Sequence, residues 1–309
     1  MRIFVAGATG AIGRQLVPLL VGRKHHVVAT TRSASKIDRL RGLGAEAVVV
    51  DGLDAGAVGE AVARAKPDVI IHQMTALAGK PDMRHFDRWF ATTNRLRTKG
   101  TEHLLAAARA TGVSRFIAQS YTGWTNARTG SAIKTEDDPL DPHPAGAQTQ
   151  TLAAIRALEL AVLEAPLTGI VLRYGSFYGP GASEELVELV RKRQLPIIGG
   201  GRGVWSWIHI RDAAAATVAA VDHGERGVYN VVDDEPARVA DWLPYLAIVV
   251  RAKPPFHIPA WVGRIVAGGV VVQLMTEGRG SSNERAKREL HWRPSWRSWR
   301  DGFRNGLAA

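Results

Sequence analysis

The sequence predicts an α/β protein, a doubly wound parallel sheet with a smaller, discontinuous lobe drawn mainly from the C-terminal part. Three observations predict it. Short β-rich runs alternate with helical stretches up to residue 174, and a glycine-spaced turn, "GATGAIG", joins the first run to the first helix. Beyond residue 175 the rhythm loosens into Gly/Pro clusters, broken by one further apolar run, "GVYNVV", at 227–232.

The elements follow in order. "RIFVAG" reads as the first strand and "IGRQLVPLL" as the helix after it, with Pro18 predicting a kink. "HVVATT", "AEAVVV" and "DVIIHQ" read as the second, third and fourth strands. "GTEHLLAAARATG" has helical spacing and leads into a fifth strand, "RFIAQS". The helical "QTQTLAAIRALELAVLEA" then leads into a sixth, "GIVLRY". Parallel strands linked by helices cross over right-handedly, which makes a doubly wound sheet the economical topology. "YGPGAS", "LPIIGGGRG" and "AKPPFHIP" read as a loop-rich lobe, and "GVYNVV" as a return to the sheet. The expected domains are 1–174 plus about 206–232 for the sheet, and about 175–205 plus 233–309 for the smaller, substrate-binding lobe.

Composition bounds the function. With 309 residues, 46% of them hydrophobic and 22% charged, the chain has the make-up of an ordinary globular protein. It has no cysteine, which excludes disulfides, thiol catalysis and zinc–thiolate sites. The late apolar run "IVAGGVVVQLM" (265–275) is glycine-interrupted and too short to cross a bilayer. Met1 runs straight into a strand, leaving no room for a signal peptide, so a cytoplasmic protein without membrane contact is expected. The net charge of +11 is densest in the tail, where arginines interleave with Trp292, Trp296 and Trp299. Basic residues among aromatics are one signature of nucleic-acid stacking. Here Glu284, Glu289 and Asp301 interrupt the run and the tryptophans suit packing on a core, so attraction for phosphorylated small molecules is expected and nucleic-acid binding is not.

The glycine turn carries the first chemistry. Gly7, Gly10 and Gly13 lie between a strand and a helix, where the backbone must turn tightly and approach a pyrophosphate that the helix N-terminus favours. An acid at the end of the second strand would grip the adenosine ribose hydroxyls. The chain reads "ATTRSASK" there, with Arg32 in the acid's place. A guanidinium suits a 2′-phosphate, so NADP(H) is expected in preference to NAD(H). Asp51 closes the third strand, where its carboxylate can accept from the adenine amino group.

Together these features resemble the extended short-chain dehydrogenase/reductase superfamily in its epimerase/dehydratase-like branch. The resemblance runs from "GATGAIG" through "DVIIHQMTA", "GIVLRYGSFYGPG" and "WSWIHIRDAAAA" to the terminal "ELHWRPSWRSWRDGF". It implies a Rossmann-type fold with Gly7, Thr9, Gly10, Ala11, Ile12, Gly13, Arg32, Asp51, Gly52 and Leu53 along the cofactor. It also brings Met74, Thr75 and Gln119 towards the nicotinamide. The family's acid/base chemistry rests on Tyr-x-x-x-Lys in the helix after the fifth strand. Aligning Glu159 with the family's usual glutamate puts Thr151 and Ile155 in those two places, and none of the five tyrosines precedes a lysine by four residues. Arg97 stands where the family often has asparagine, and Tyr174 replaces the usual proline after Arg173. The chain reads as an atypical member with its acid/base apparatus changed.

A tyrosine without its lysine has a pKa of about 10, so as a base at neutral pH it starts about 4 kcal/mol behind, whereas as an acid it is already protonated. Reduction is therefore favoured over alcohol oxidation. The candidate donors are Tyr121 at the sheet's carboxyl edge, Tyr178 in "FYGPG" and Lys134 before an acidic run; Ser120 is placed to polarise a carbonyl. Each has a plainer reading, respectively a pocket wall, a structural turn, a surface ion pair and a turn cap. His72 reads as a packed core histidine, His209 as an anchor for the second lobe, and no metal site is expected. Two functions follow: an NADPH-dependent reductase of a small carbonyl, imine or activated alkene, acting as monomer or homodimer, or a non-redox dinucleotide-binding sensor or catalyst.

Overall fold

The computed structural model describes residues 1–77 and 82–307. Its first half follows the predicted alternation. Strand β1 (Arg2–Ala6) feeds α1 (Ala11–Gly22), β2 (His26–Thr31) feeds α2 (Ile37–Gly42), and β3 (Glu46–Val49) feeds α3 (Ala55–Ala65). Asp54 starts α3 by accepting the Ala57 N–H at 3.0 Å. After β4 (Val69–His72) come two short helices, α4 (Phe86–Trp89) and α5 (Ala91–Arg95). A one-turn π-helical stretch, Leu96–Gly100, joins α5 to α6 (Thr101–Thr111), which stops at Gly112 in the left-handed region. The chain continues through β5 (Arg115–Tyr121), a short β6 (Ile133–Lys134), α7 (Thr149–Glu164) and β7 (Thr168–Tyr174).

The second half adds β8 (Ser176–Tyr178), α8 (Glu184–Arg191), β9 (Ile197–Ile198), β10 (Val204–Trp205), β11 (Trp207–His209) and α9 (Ile210–Asp222). Next come β12 (Gly227–Val231), β13 (Ala237–Arg238), α10 (Val239–Val249), β14 (His257–Ile258), α11 (Ala260–Val266) and α12 (Gly269–Glu277). The chain finishes with β15 (Gly280–Ser281), α13 (Glu284–Glu289) and α14 (Trp299–Asn305).

Seven parallel strands form one sheet in the order β12-β7-β5-β4-β1-β2-β3. These are the seven apolar runs of the sequence, and "GVYNVV" does return as the edge beside β7. Both faces are buried, as a sheet crossed by helices on each side requires. Ile3, Val5 and Ile117 pack with Leu16 of α1 and Ala216 of α9, while Phe4, Ile70 and Phe116 pack with Val62 of α3 and Leu158 of α7 on the other face. The strand order reverses between β1 and β4, which opens a crevice at the carboxyl ends where such sheets take ligands.

The remaining strands pair in twos: β8 with β11, β9 with β14, β10 with β13 and β6 with β15. Around them Tyr178, Trp207, Trp242, Trp299 and Phe303 build a second, aromatic core. The tail divides between the two cores. Trp299 and Phe303 enter the aromatic one, but Ala286, Leu290 and Trp292 join the face of the main sheet, so the stretch expected wholly in the smaller lobe also covers the larger. Asp212 of α9 pins the crossing by accepting the N–H groups of Ser295 and Trp296 at 3.0 and 2.9 Å.

Candidate active site

The β1–α1 turn is shaped by close approaches. Gly7 has φ +89°, and a Cβ there would come 2.7 Å from the Gln73 carbonyl group at the end of β4. At Gly13 a Cβ would overlap the Ala8 carbonyl, so that glycine lets α1 lie against the turn. Gly10 has no such clash, a Cβ falling 3.4 Å from the Gly7 oxygen. Its bareness instead leaves the start of α1 open, with no side-chain cap and no acid in the first turn. Free N–H groups at the positive end of a helix fit a pyrophosphate. Thr9 and Ala11 sit half-buried at the rim, and Ile12 is buried beneath them.

Along the crevice, Arg32 directly follows β2, is exposed and has no ion-pair partner among the described residues. Asp51 is exposed and accepts the Leu53 N–H at 3.0 Å, which rounds the turn that carries Gly52. Met74 packs against Gly52 and Gly100, where side chains on either glycine would meet its thioether. Thr75 and Gln119 are both half-buried after β4 and within β5. These groups fit a dinucleotide laid across the carboxyl ends.

The corner where the family keeps its tyrosine and lysine is rebuilt. Thr151 is buried, donates its hydroxyl to Asp87 at 2.6 Å and accepts from the Asn94 amide at 3.0 Å. Asp87 also accepts the N–H groups of Gln150 and Thr151, so a carboxylate from α4 caps α7. Ile155 is buried and aliphatic. His72, at the end of β4, is buried as expected, and its Nδ1 accepts the Met74 N–H at 3.2 Å. Burial holds its imidazole down at about 4, hence neutral.

Of the four candidate catalytic residues, two are engaged by partners and a third is enclosed in the core. The Ser120 hydroxyl is buried and donates to Glu159 at 2.7 Å, so it is engaged rather than free to polarise a carbonyl. Glu159 in turn holds Arg173 through bonds of 2.8 and 2.6 Å. Lys134 is buried rather than a surface pair, its ammonium fixed by the Thr129 carbonyl and by Asp138 at 3.0 Å. Tyr178 is fully buried against Trp207, His209 and Phe303, and its hydroxyl has no partner among the described residues. Burial, with Asp233, Asp212 and Asp301 nearby, pushes its pKa far up. It is a core residue of the second lobe. His209 caps α9 and meets the Gly306 carbonyl, the anchoring role expected of it.

Tyr121 remains. It ends β5 half-buried, with its hydroxyl 3.2 Å from Ser176 Oγ and its ring stacked on Trp124. Burial raises its pKa, which keeps the hydroxyl protonated. The serine partner escaped sequence reasoning. "GSFYG" directly after a strand end is its only signal, and it is a weak one.

A glycine-built turn, an open helix N-terminus and a crevice at the switch point define a dinucleotide-binding α/β protein. The chain belongs to the NAD dependent epimerase/dehydratase family, whose model matches residues 3–232. The expected likeness to the extended short-chain dehydrogenase/reductases therefore holds. Over 98% of its length the chain is 43% identical to the 3-diazoavenalumate denitrifying reductase of a Streptomyces species, covering 99% of that protein. The fold is similar to UDP-glucose 4-epimerase of Thermotoga maritima, solved with UDP-glucose (TM-score 0.78, 20% identity, 99% and 97% of the two chains). It is also similar to the UDP-glucose 4-epimerase of Thermus thermophilus in complex with NAD (TM-score 0.74, 21% identity, 99% and 98%). Family membership and a near full-length likeness to a reductase make this chain an NAD(P)-binding oxidoreductase.

Proposed function

We propose that the protein is an NADPH-dependent reductase of a small, electron-poor acceptor, a carbonyl, imine or activated alkene, with Tyr121 as proton donor. The observation that carries this reading is the rebuilt corner. A capped helix start at Thr151 and an aliphatic Ile155 stand where a tyrosine and its lysine would work, while a protonated phenol lies at the end of β5. When bound, the dinucleotide supplies the hydride. The chain's own work is to hold it on the β1–α1 turn, to offer Arg32 to a 2′-phosphate, and to deliver a proton from the Tyr121 hydroxyl, which Ser176 orients. Without a lysine, that phenol serves donation far better than abstraction. Acceptors that build no alkoxide ask least of the corner, and a diazo group belongs with them. The relative named for reducing 3-diazoavenalumate supports that direction.

The residues of about 175–205 and 233–307, apart from the Ala286–Trp292 stretch that packs on the main sheet, supply the substrate lobe in this reading, in a cytoplasmic enzyme that is a monomer or homodimer. No helix among the described residues is long and apolar enough to cross a membrane. The test is loss of NADPH absorbance with a panel of enones, imines and aryl diazo compounds. Binding of NADPH without turnover of any class would replace the reductase with a non-redox dinucleotide-binding protein. For the cofactor, calorimetry should show NADP(H) at least about tenfold tighter than NAD(H), about 1.4 kcal/mol. Arg32→Ala should erase most of the gap, and equal affinities in the parent would refute the assignment of Arg32.

A further inference from the structure

We infer that Arg97 is a substrate-binding cation and that the acceptor is an aromatic carboxylate, its anionic end on this guanidinium. The inference rests on the reductase reading and names its substrate class.

The π-helical turn Leu96–Gly100 brings Arg97 inward, and only 6% of it is exposed. Turns of this kind gather at functional sites because the extra residue redirects a side chain. The guanidinium lies between the end of β4 and α7, near enough for its charge to act on His72 and to feel Glu159. Burial lowers its pKa only to about 10, so it stays charged at neutral pH. A buried charge without an anion is costly.

Among the described residues no carboxylate pairs with it directly, and Glu159 acts on it only from a distance. Glu159 is engaged by Arg173 through both oxygens and by Ser120. Asp87 is engaged by the N–H groups of Gln150 and Thr151 and by the Thr151 hydroxyl. Among the described residues, Arg97's side chain makes one long bond, 3.4 Å to the Asn94 amide oxygen, and its Cζ lies 5.5 Å from the Phe90 ring centre. A second buried polar group, at the start of α7, lacks partners altogether among the described residues. Gln148, one helical turn before Thr151, is 1% exposed and neither its amide oxygen nor its nitrogen has a partner among the described residues. A buried cation with one weak bond and a buried amide with none are groups that a polar ligand would satisfy.

The shape of that ligand follows from the rings. From Phe90, beside the guanidinium, an unbroken aromatic series runs through Phe86 (4.5 Å) and Trp124 (5.2 Å) to Tyr121 (6.2 Å). Phe86 and Phe90 are buried in a cluster with Val270, and Trp124 and Tyr121 are half-buried at its other end. In the inferred complex a planar ring lies along this series with its carboxylate at the guanidinium and its reducible end towards the Tyr121 hydroxyl. A fork of guanidinium N–H groups matches a carboxylate in both geometry and charge.

The test uses the full chain saturated with NADP⁺ and two probes, cinnamate and methyl cinnamate, followed by calorimetry. Cinnamate should bind at least about tenfold tighter than its ester, as expected for a desolvated charge pair. In Arg97→Met that preference should collapse while NADP⁺ affinity stays within about twofold of the parent. Equal binding of acid and ester by the parent would overturn the inference, as would a preference that survives Arg97→Met. A loss of NADP⁺ affinity with the preference intact would also overturn it, because the guanidinium would then serve the cofactor. Should Arg97→Met fail to fold, Arg97→Lys replaces it: the acid should weaken and the ester should not, and equal changes would refute the role. A parent that binds no NADP⁺ defeats the reductase reading itself, whereas NADP⁺ binding without acid preference defeats this inference alone.

Discussion

Single side chains decide the chemistry, and in the proposed reaction Tyr121 bears most of it. Its ring belongs to an aromatic wall and only its hydroxyl, 3.2 Å from Ser176, can donate. Tyr121→Phe should therefore leave NADP(H) affinity unchanged and slow turnover by about 100- to 10,000-fold. A variant as fast as its parent would reduce Tyr121 to a pocket wall. His72 makes a second prediction. The folded imidazole stays neutral down to about 4, while the unfolded one protonates near its ordinary 6.5. The unfolded chain thus binds the extra proton in that window, and stability must fall as pH drops through it. The loss between neutral pH and pH 5 is about 2 kcal/mol on this account. His72→Asn keeps an acceptor for the Met74 N–H but does not titrate there. Urea midpoints at the two pH values should differ less for His72→Asn than for the parent, and equal differences would discard the assignment.

At the scale of elements, the β1–α1 turn follows largely from local rules: Gly13 answers a close approach to Ala8 within the turn, and Gly7 alone answers one across to the residue after β4. Helix α14 follows from a distant one. Gly302 faces the Tyr178 ring and hydroxyl so closely that a Cβ would overlap both. Gly302→Ala should cost about 1–3 kcal/mol through overpacking, visible as a lower urea midpoint with an unchanged slope. An unaffected midpoint would mean that α14 can shift away from β8 and β11 without loss. The same packing decides between the two readings of Tyr178, a proton donor or part of a structural turn, in favour of structure. Nothing local in "FYGPG" announces that a helix more than a hundred residues later will bury it.

At the scale of the whole molecule, the tail and the charge matter most. Trp292, Trp299 and Phe303 are all buried, in two different cores. Each such ring contributes about 1.5–3 kcal/mol, so removing residues 291–309 takes away an amount comparable to the whole stability of a typical domain. The truncated chain should melt at least about 10 °C lower or fail to fold. An unchanged melting temperature would return the tryptophans to a binding role. The net charge of +11 acts over longer range. It should draw in an anionic dinucleotide, with an association rate that falls as salt rises from about 0.01 to 0.15 M. A salt-independent rate would show that the basic tail lies too far from the crevice to steer.

The sequence by itself determined the sheet, because seven apolar runs with helical connections and a glycine turn are local patterns that allow few topologies. It also determined the absence of the Tyr-x-x-x-Lys pair, which is a matter of residue identity alone. Tertiary structure decided which hydroxyls and charges remain available. Ser120, Lys134 and Tyr178 are polar groups in plausible places, and each is consumed or enclosed by a partner far along the chain or in a neighbouring turn, Glu159, Asp138 and Phe303 respectively. Arg97 shows the converse. In sequence it is one departure from a pattern, and only the fold reveals a buried cation whose nearby carboxylates are already taken. Periodicity follows from neighbours in the chain, but whether a polar group is satisfied depends on neighbours in space.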